Sequence, residues 1–167
     1  MSNVEPKNVG QFIERDELIN YLPHKGKMFL LSRVTQHDVD KHTITSEYDI
    51  TEDCIFYEEE FGGIPTWAGF ELMAQGVSAL TGITNKIKGR TPFPGMILSV
   101  VDFKASVGFL AKGTTCQMKI AEDYRDEETH TYRYLCNLYA AKGDAEPAAS
   151  AKITVMETEN MGAMFSK

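Results

Sequence analysis

A chain of 167 residues with 43% hydrophobic and 25% charged content has the make-up of one globular domain with a sizeable core, which excludes a disordered chain. Its formal net charge of −7 argues against a nucleic-acid partner, because phosphate binding needs a basic surface. Cys54, Cys116 and Cys136 are odd in number and widely spaced, so they form no disulfide framework and point to a reducing compartment.

The opening residues, MSNVEPKNVG, have neither an apolar core nor a basic start. They do not read as a signal peptide, and the expected location is cytoplasmic. Residues 1–9 are expected to form a flexible leader. Gln11 to Tyr21 then reads as a short amphipathic helix, with Phe12, Ile13, Leu18 and Ile19 as its apolar stripe, ended by a turn at Pro23 and Gly26. MFLLSRV, Met28 to Val34, is a short apolar run and predicts a buried strand. Thr43 to Ile50 alternates, with Ile44, Ser46, Tyr48 and Ile50 on one face and Thr45, Glu47 and Asp49 on a wet one. The acidic stretch Glu58 to Glu60 reads as a solvated loop ending at Gly62 and Gly63.

The next stretch, GGIPTWAGFELMAQGVSALTGITN from Gly62 to Asn85, holds a single charged residue, Glu71. Pro65 suits a helix start, where its missing N–H costs nothing. A helix from about Pro65 to Thr84 is apolar on nearly every face, the pattern of a helix buried all round. It is too short and too rich in Gly, Ser, Thr and Gln for a membrane span. An ionised carboxylate is costly to bury without partners, so Glu71 demands an explanation.

Lys86, Lys88 and Arg90 follow, then the loop TPFPG and four strand candidates: Met96 to Ser106, which bends or breaks, Cys116 to Glu122, Thr129 to Ala140 and Ala149 to Met156. Turns fall at Ala111-Lys112-Gly113, Asp126-Glu127-Glu128 and Lys142-Gly143-Asp144, and residues 159–167 read as a frayed tail. The order is that of an α+β domain, a curved antiparallel sheet wrapped around one long central helix. One sheet cannot cover a helix on every side, so a second chain is expected on the open face, and the protein is expected to be dimeric.

Two blocks carry a family resemblance. LPHKGKMFLLSRV, Leu22 to Val34, and GGIPTWAGFELMAQG, Gly62 to Gly76, resemble two signature blocks of the hotdog-fold 3-hydroxyacyl-acyl carrier protein dehydratases, in which LPHRxPFLLVDRV opens the domain and PGxxxxEAMAQ begins the central helix. VDFKASVGFLAKGTT is similar to a later strand of that fold and the turn that ends it. Trp67, near the helix start, fits a divergent branch associated with aryl-polyene-type lipid synthesis. The resemblance covers about Leu22 to Glu157 and implies a single hotdog domain over 10–158.

It implies, too, dehydration of a 3-hydroxyacyl thioester carried on acyl carrier protein or coenzyme A, at a site on a dimer interface, without cofactor or metal. In the family a His takes the C2 proton, a carboxylate on the opposing subunit's central helix helps the 3-hydroxyl leave, and backbone N–H groups at the helix start polarise the thioester. Glu71 takes the carboxylate position, with Gln75 one turn on to orient it or a water. Gly62 and Gly63 let the acyl chain or pantetheine pass close to the backbone. Trp67 reads as an interface or tunnel anchor.

The family's His, in an HFPG-like segment before the helix, is missing from CIFYEEEFGGIP; Tyr57 or Cys54 lies near its position. Three accounts compete. A second hotdog subunit supplies the His, or His24 is brought into the site, or dehydration is lost and the chain keeps binding, or a thioester hydrolysis that needs a carboxylate alone. His24 in the first block has a mainly structural counterpart in the family. Tyr57 is either a proton donor or an aromatic lining the acyl tunnel. His37, His42 and His130 read as surface residues with no metal-site spacing. Lys86, Lys88 and Arg90 either meet an acidic acyl carrier protein or simply complement the helix C-terminus.

Overall fold

The computed structural model describes residues 8–92 and 95–158, so the expected leader (mostly) and tail lie outside the described residues. Nine strands and two α-helices occur in the order β1 (Ile13–Glu14), α1 (Arg15–Leu18), β2 (Arg33–Asp38), β3 (Thr43–Asp49), β4 (Gly63–Pro65), α2 (Gly69–Lys88), β5 (Gly95–Ala105), β6 (Phe109–Ala111), β7 (Thr115–Asp126), β8 (Thr131–Tyr139) and β9 (Ala149–Glu157). Seven strands form one antiparallel sheet in the order β1-β2-β3-β7-β8-β9-β5, and β4 and β6 make a separate pair. Helix α2 lies against β3, β7, β8 and β9. The result is the hotdog fold, an α+β architecture with a curved sheet wrapped around one long helix.

The alternating strands pack as their period dictates. Cys116, Met118 and Ile120 of β7, Tyr134, Cys136 and Leu138 of β8, and Ala149, Ala151 and Ile153 of β9 are buried against Leu72, Met73, Leu80 and Ile83 of α2. Burial pushes the Cys116 and Cys136 thiols up to about 12, as befits core sulfurs. All three cysteines are free. Strand β5 bends through register shifts at Ile97/Ser99 and Val101/Lys104, and Asp102 sits at a positive φ of 53° in the second.

Four expectations change. Gln11 to Tyr21 is not one helix: Ile13 and Glu14 pair with Val34 and Arg33, leaving only Arg15–Leu18 helical before a 3₁₀ turn at Ile19–Tyr21. The strand expected over Met28 to Val34 starts only at Arg33, and Phe29–Leu31 is buried without a strand neighbour among the described residues. The outer face of β3 is wet only at Asp49: Thr45 and Glu47 are buried, and Arg33, Gln117 and Thr115 bond Glu47 and Asp49. Helix α2 keeps one stripe open in the single chain, with Glu71, Ser78, Thr81, Gly82 and Asn85 partly exposed, the face on which a second chain is expected. It also runs a turn further than expected, to Lys88, and stops at Gly89, whose φ of 64° suits glycine, with the Arg90 N–H returning to the Asn85 carbonyl.

Candidate functional site

The exposed stripe of α2 forms one wall of an open cleft of about 630 Å³. Glu71 marks one end and Asn85 the other, a span of about 21 Å at the helical rise per residue. Leu22, Ala74, Val77, Met96, Ile97 and Val155 give it apolar walls, and His24 lies beside Glu71.

His24 reaches α2 because the chain turns at Pro23 and is held there by Lys25, whose ammonium donates to the carbonyls of Ile19 (2.6 Å) and Leu22 (3.0 Å). His24 Nε2 is 3.5 Å from Glu71 Oε1, within ion-pair reach and longer than a tight hydrogen bond. His24 Nδ1 is buried with no hydrogen-bond partner among the described residues. With Nδ1 unpartnered, Nε2 is the ring nitrogen that meets the carboxylate. Gln75 Nε2 donates to the same Glu71 oxygen at 3.1 Å. The His24 contact holds the Glu71 carboxyl below the ordinary carboxylate range; partial burial opposes this and the Gln75 bond reinforces it. Glu71 is thus an ionised acceptor at neutral pH, bordering an apolar-walled cleft.

The other residues singled out in the sequence lie apart from that pair. Gln75 is fully buried, and its amide is taken up by the protein: Oε1 accepts from the Leu30 N–H (2.9 Å) and Leu31 N–H (3.4 Å), and Nε2 donates to the Met28 carbonyl (2.7 Å) as well as to Glu71. It orients and does not line the cleft. Gly63 is pressed onto β6, where a Cβ would lie 2.1 Å from the Leu110 carbonyl oxygen, and Gly62 has a φ of 63°. Both glycines thus have a backbone reason. Trp67 is 55% exposed and packs edge-on against Phe56 at 5.8 Å. Tyr57 is half-buried, with Lys112 Nζ 5.9 Å above its ring. None of Tyr57, Gly62, Gly63 and Trp67 lines this cleft among the described residues.

His37, read as a surface residue, is instead buried, with Nε2 2.7 Å from the Gly10 carbonyl oxygen. His42 lies 4.0 Å from Glu122, and His130 is exposed. Sequence reading missed Arg15, which bonds three consecutive backbone carbonyls behind the site. Its only sequence signal is a cation beginning a short helix.

Comparison with known proteins agrees with the fold and the two sequence blocks. The ApeP-like family model, described as ApeP dehydratase, matches residues 17–166. The dehydratase heterocomplex ApeI:P from Xenorhabdus doucetiae contains a chain that superposes with a TM-score of 0.75 at 18% identity, covering 89% of this chain and 97% of that one. A hypothetical thioesterase with coenzyme A from Streptococcus pneumoniae aligns with a TM-score of 0.55 at 10% identity, over 75% of this chain and 84% of that one. The 3-hydroxyacyl-acyl-carrier-protein dehydratase FabZ of Chlamydia caviae is 30% identical over 74 residues, 42% of this chain. That match spans about half of the curated relative, 48% of its length. With a family model matched across nearly its whole length, the chain belongs to the ApeP-like dehydratase family.

Proposed function

We propose that the protein dehydrates 3-hydroxyacyl thioesters in polyene-type lipid synthesis, with Glu71 as the proton-carrying group and His24 holding it. The observation that carries this is the His24–Glu71 pair at the end of an apolar cleft running along α2. An ionised Glu71 is an acceptor, suited to take a proton from C2 of the substrate. The C2–H bond breaks, the C2=C3 bond forms and the C3–O bond breaks. Glu71 passes the proton to the departing hydroxide, which leaves as water, and the carboxylate is restored. The N–H groups opening the helical run from Thr66 carry partial positive charge and would stabilise the thioester oxygen. Tyr57, Gly62, Gly63 and Trp67, which lie nearer that run, remain our candidates for contacts with the pantetheine arm.

The acyl thioester is carried on acyl carrier protein or coenzyme A, and the working compartment is the cytoplasm. No described helix is long and apolar enough to cross a membrane. The active form is a dimer, of identical chains or with a second hotdog subunit. The exposed apolar residues of edge strand β5 favour this, and the similar Xenorhabdus doucetiae chain belongs to a dehydratase heterocomplex. A partner's His could then add to the pair, leaving this chain as the carboxylate-bearing or even non-catalytic half.

The test is hydration of a 2-enoyl thioester by the purified chain, followed by loss of the conjugated absorbance. Glu71→Gln is expected to lower kcat/KM by about a hundredfold to ten-thousandfold. Retained activity would remove Glu71 from the chemistry. Release of free thiol instead of hydration would identify a thioesterase, and activity only after adding a second hotdog subunit would identify an obligate heterodimer.

A further inference from the structure

The buried run Phe29–Leu31 has no strand beside it among the described residues, so its backbone polar groups need other partners. The Phe29 N–H returns to the Gly26 carbonyl, and two side chains from distant parts of the chain supply the rest. On one side the Arg15 guanidinium donates to the carbonyls of Phe29 (2.7 Å), Leu30 (3.0 Å) and Leu31 (2.6 Å), and lies 4.2 Å from the centroid of the Phe29 ring. On the other, the Gln75 amide takes the N–H groups of Leu30 and Leu31 and the carbonyl of Met28. That same amide nitrogen holds Glu71, and a single 3₁₀ turn, Gly26–Met28, joins the run back to His24.

We propose that Arg15 is a positioning residue for the His24–Glu71 pair, acting through the Phe29–Leu31 backbone and Gln75. The proposal rests on the dehydratase reading of that pair. Arg15 is outside the cleft lining and touches neither member of the pair. Its planar fork supplies separate N–H groups to three carbonyls that follow one another, which a lysine ammonium cannot match in geometry. Releasing those carbonyls frees the run to shift, and Gln75 shifts with it. Among the described residues His24 is the one charged or titratable group within ion-pair reach of Glu71, so a shift between them is read directly at the carboxylate.

Arg15→Met keeps an apolar stem against Phe29 and removes the donors. A displacement of this kind is expected to lower kcat/KM for enoyl-thioester hydration about tenfold to a hundredfold with KM little changed. Independently of activity, the Glu71 carboxyl, titrated by carbon NMR, is expected to move up towards the ordinary carboxylate value. Arg15→Lys recovers part of the wild-type titration. Leu18→Ala, which hollows the core beneath the same short helix without touching the three carbonyls, is the matched control. It should lower the melting temperature and leave the Glu71 titration as in wild type. A wild-type titration in Arg15→Met, or an equal displacement in Leu18→Ala, overturns the proposal. If the wild-type protein turns over no thioester either alone or with a second hotdog subunit, the dehydratase reading falls, while the titration still decides the role of Arg15.

Discussion

Glu71 and His24 are 47 positions apart in the chain and 3.5 Å apart in the fold, so the pair exists only once α2 and the Pro23 turn have docked. That linkage has a pH signature. The Glu71 carboxyl is depressed in the folded protein from an ordinary value of 4.5. A depressed folded value contributes stability that is present above the unfolded value and lost as pH falls through the folded one. Asp49, held down by its bond to Arg33 from 3.8, adds in the same direction. Urea unfolding of wild type and Glu71→Gln at a series of pH values should therefore show that loss in the difference between them. Below about 4.5 the wild type should lose ground against the variant. A difference that stays flat down to pH 3 would show that Glu71 titrates alike in both states.

Helix α2 meets the turn Ile19–Tyr21 at Gly82, where a Cβ would lie 2.0 Å from the Tyr21 carbonyl oxygen. Helix propensity favours alanine over glycine by about 1 kcal/mol, but the Tyr21 backbone cannot rotate away as a side chain would. The clash wins, and Gly82→Ala is expected to cost about 1–3 kcal/mol in urea unfolding. Because Tyr21 leads directly to Leu22 and His24, the same variant should also lower thioester turnover. What was legible in the sequence follows the same boundary between local and distant partners. Strands β7, β8 and β9 were readable because each alternates against its own neighbours, and α2 because one long apolar stretch with a proline at its start has few other fates. Phe29–Leu31 was misread as a strand because a short apolar run looks the same whether strands or side chains satisfy its backbone. Here the partners are Arg15, 14 to 16 positions away, and Gln75, 44 and 45 positions away. Glu71 could be singled out as a lone charge on an apolar helix. His24 could be named only as one of three competing accounts, since nothing near it in the sequence points to α2.

At the scale of the whole molecule, the sheet ends at β5, an 11-residue edge strand with Ile97, Leu98, Val100 and Val101 partly exposed. Proteins normally blunt such an edge with charge or cover it. Asp102, at its bulge and 3.5 Å from Lys152, and the exposed Lys104 are the charges present, and they leave the preceding apolar stretch open. That stretch also contributes Ile97 to the cleft wall, so whatever covers the edge borders the cleft. A Leu98→Lys, Val101→Lys double variant is expected to shift the protein from dimer to monomer by light scattering and to depress hydratase activity with it. A wild type that is monomeric at working concentration would refute this face as the interface.

The clamped run Met28–Leu31 also says something about how the chain comes off the ribosome. MFLL emerges soon after Arg15, so its carbonyls find their donors early. The N–H groups of Leu30 and Leu31 find theirs only when Gln75 has been made and α2 has folded. Until then an apolar, uncharged segment with open backbone donors is free to pair with the same segment of another nascent chain. Lys25 and Lys27 before it and Arg33 after it flank that segment with charge, as gatekeeping residues do. Arg15, which bonds the carbonyls of that run in the native fold, adds a cation that is already made when the run emerges.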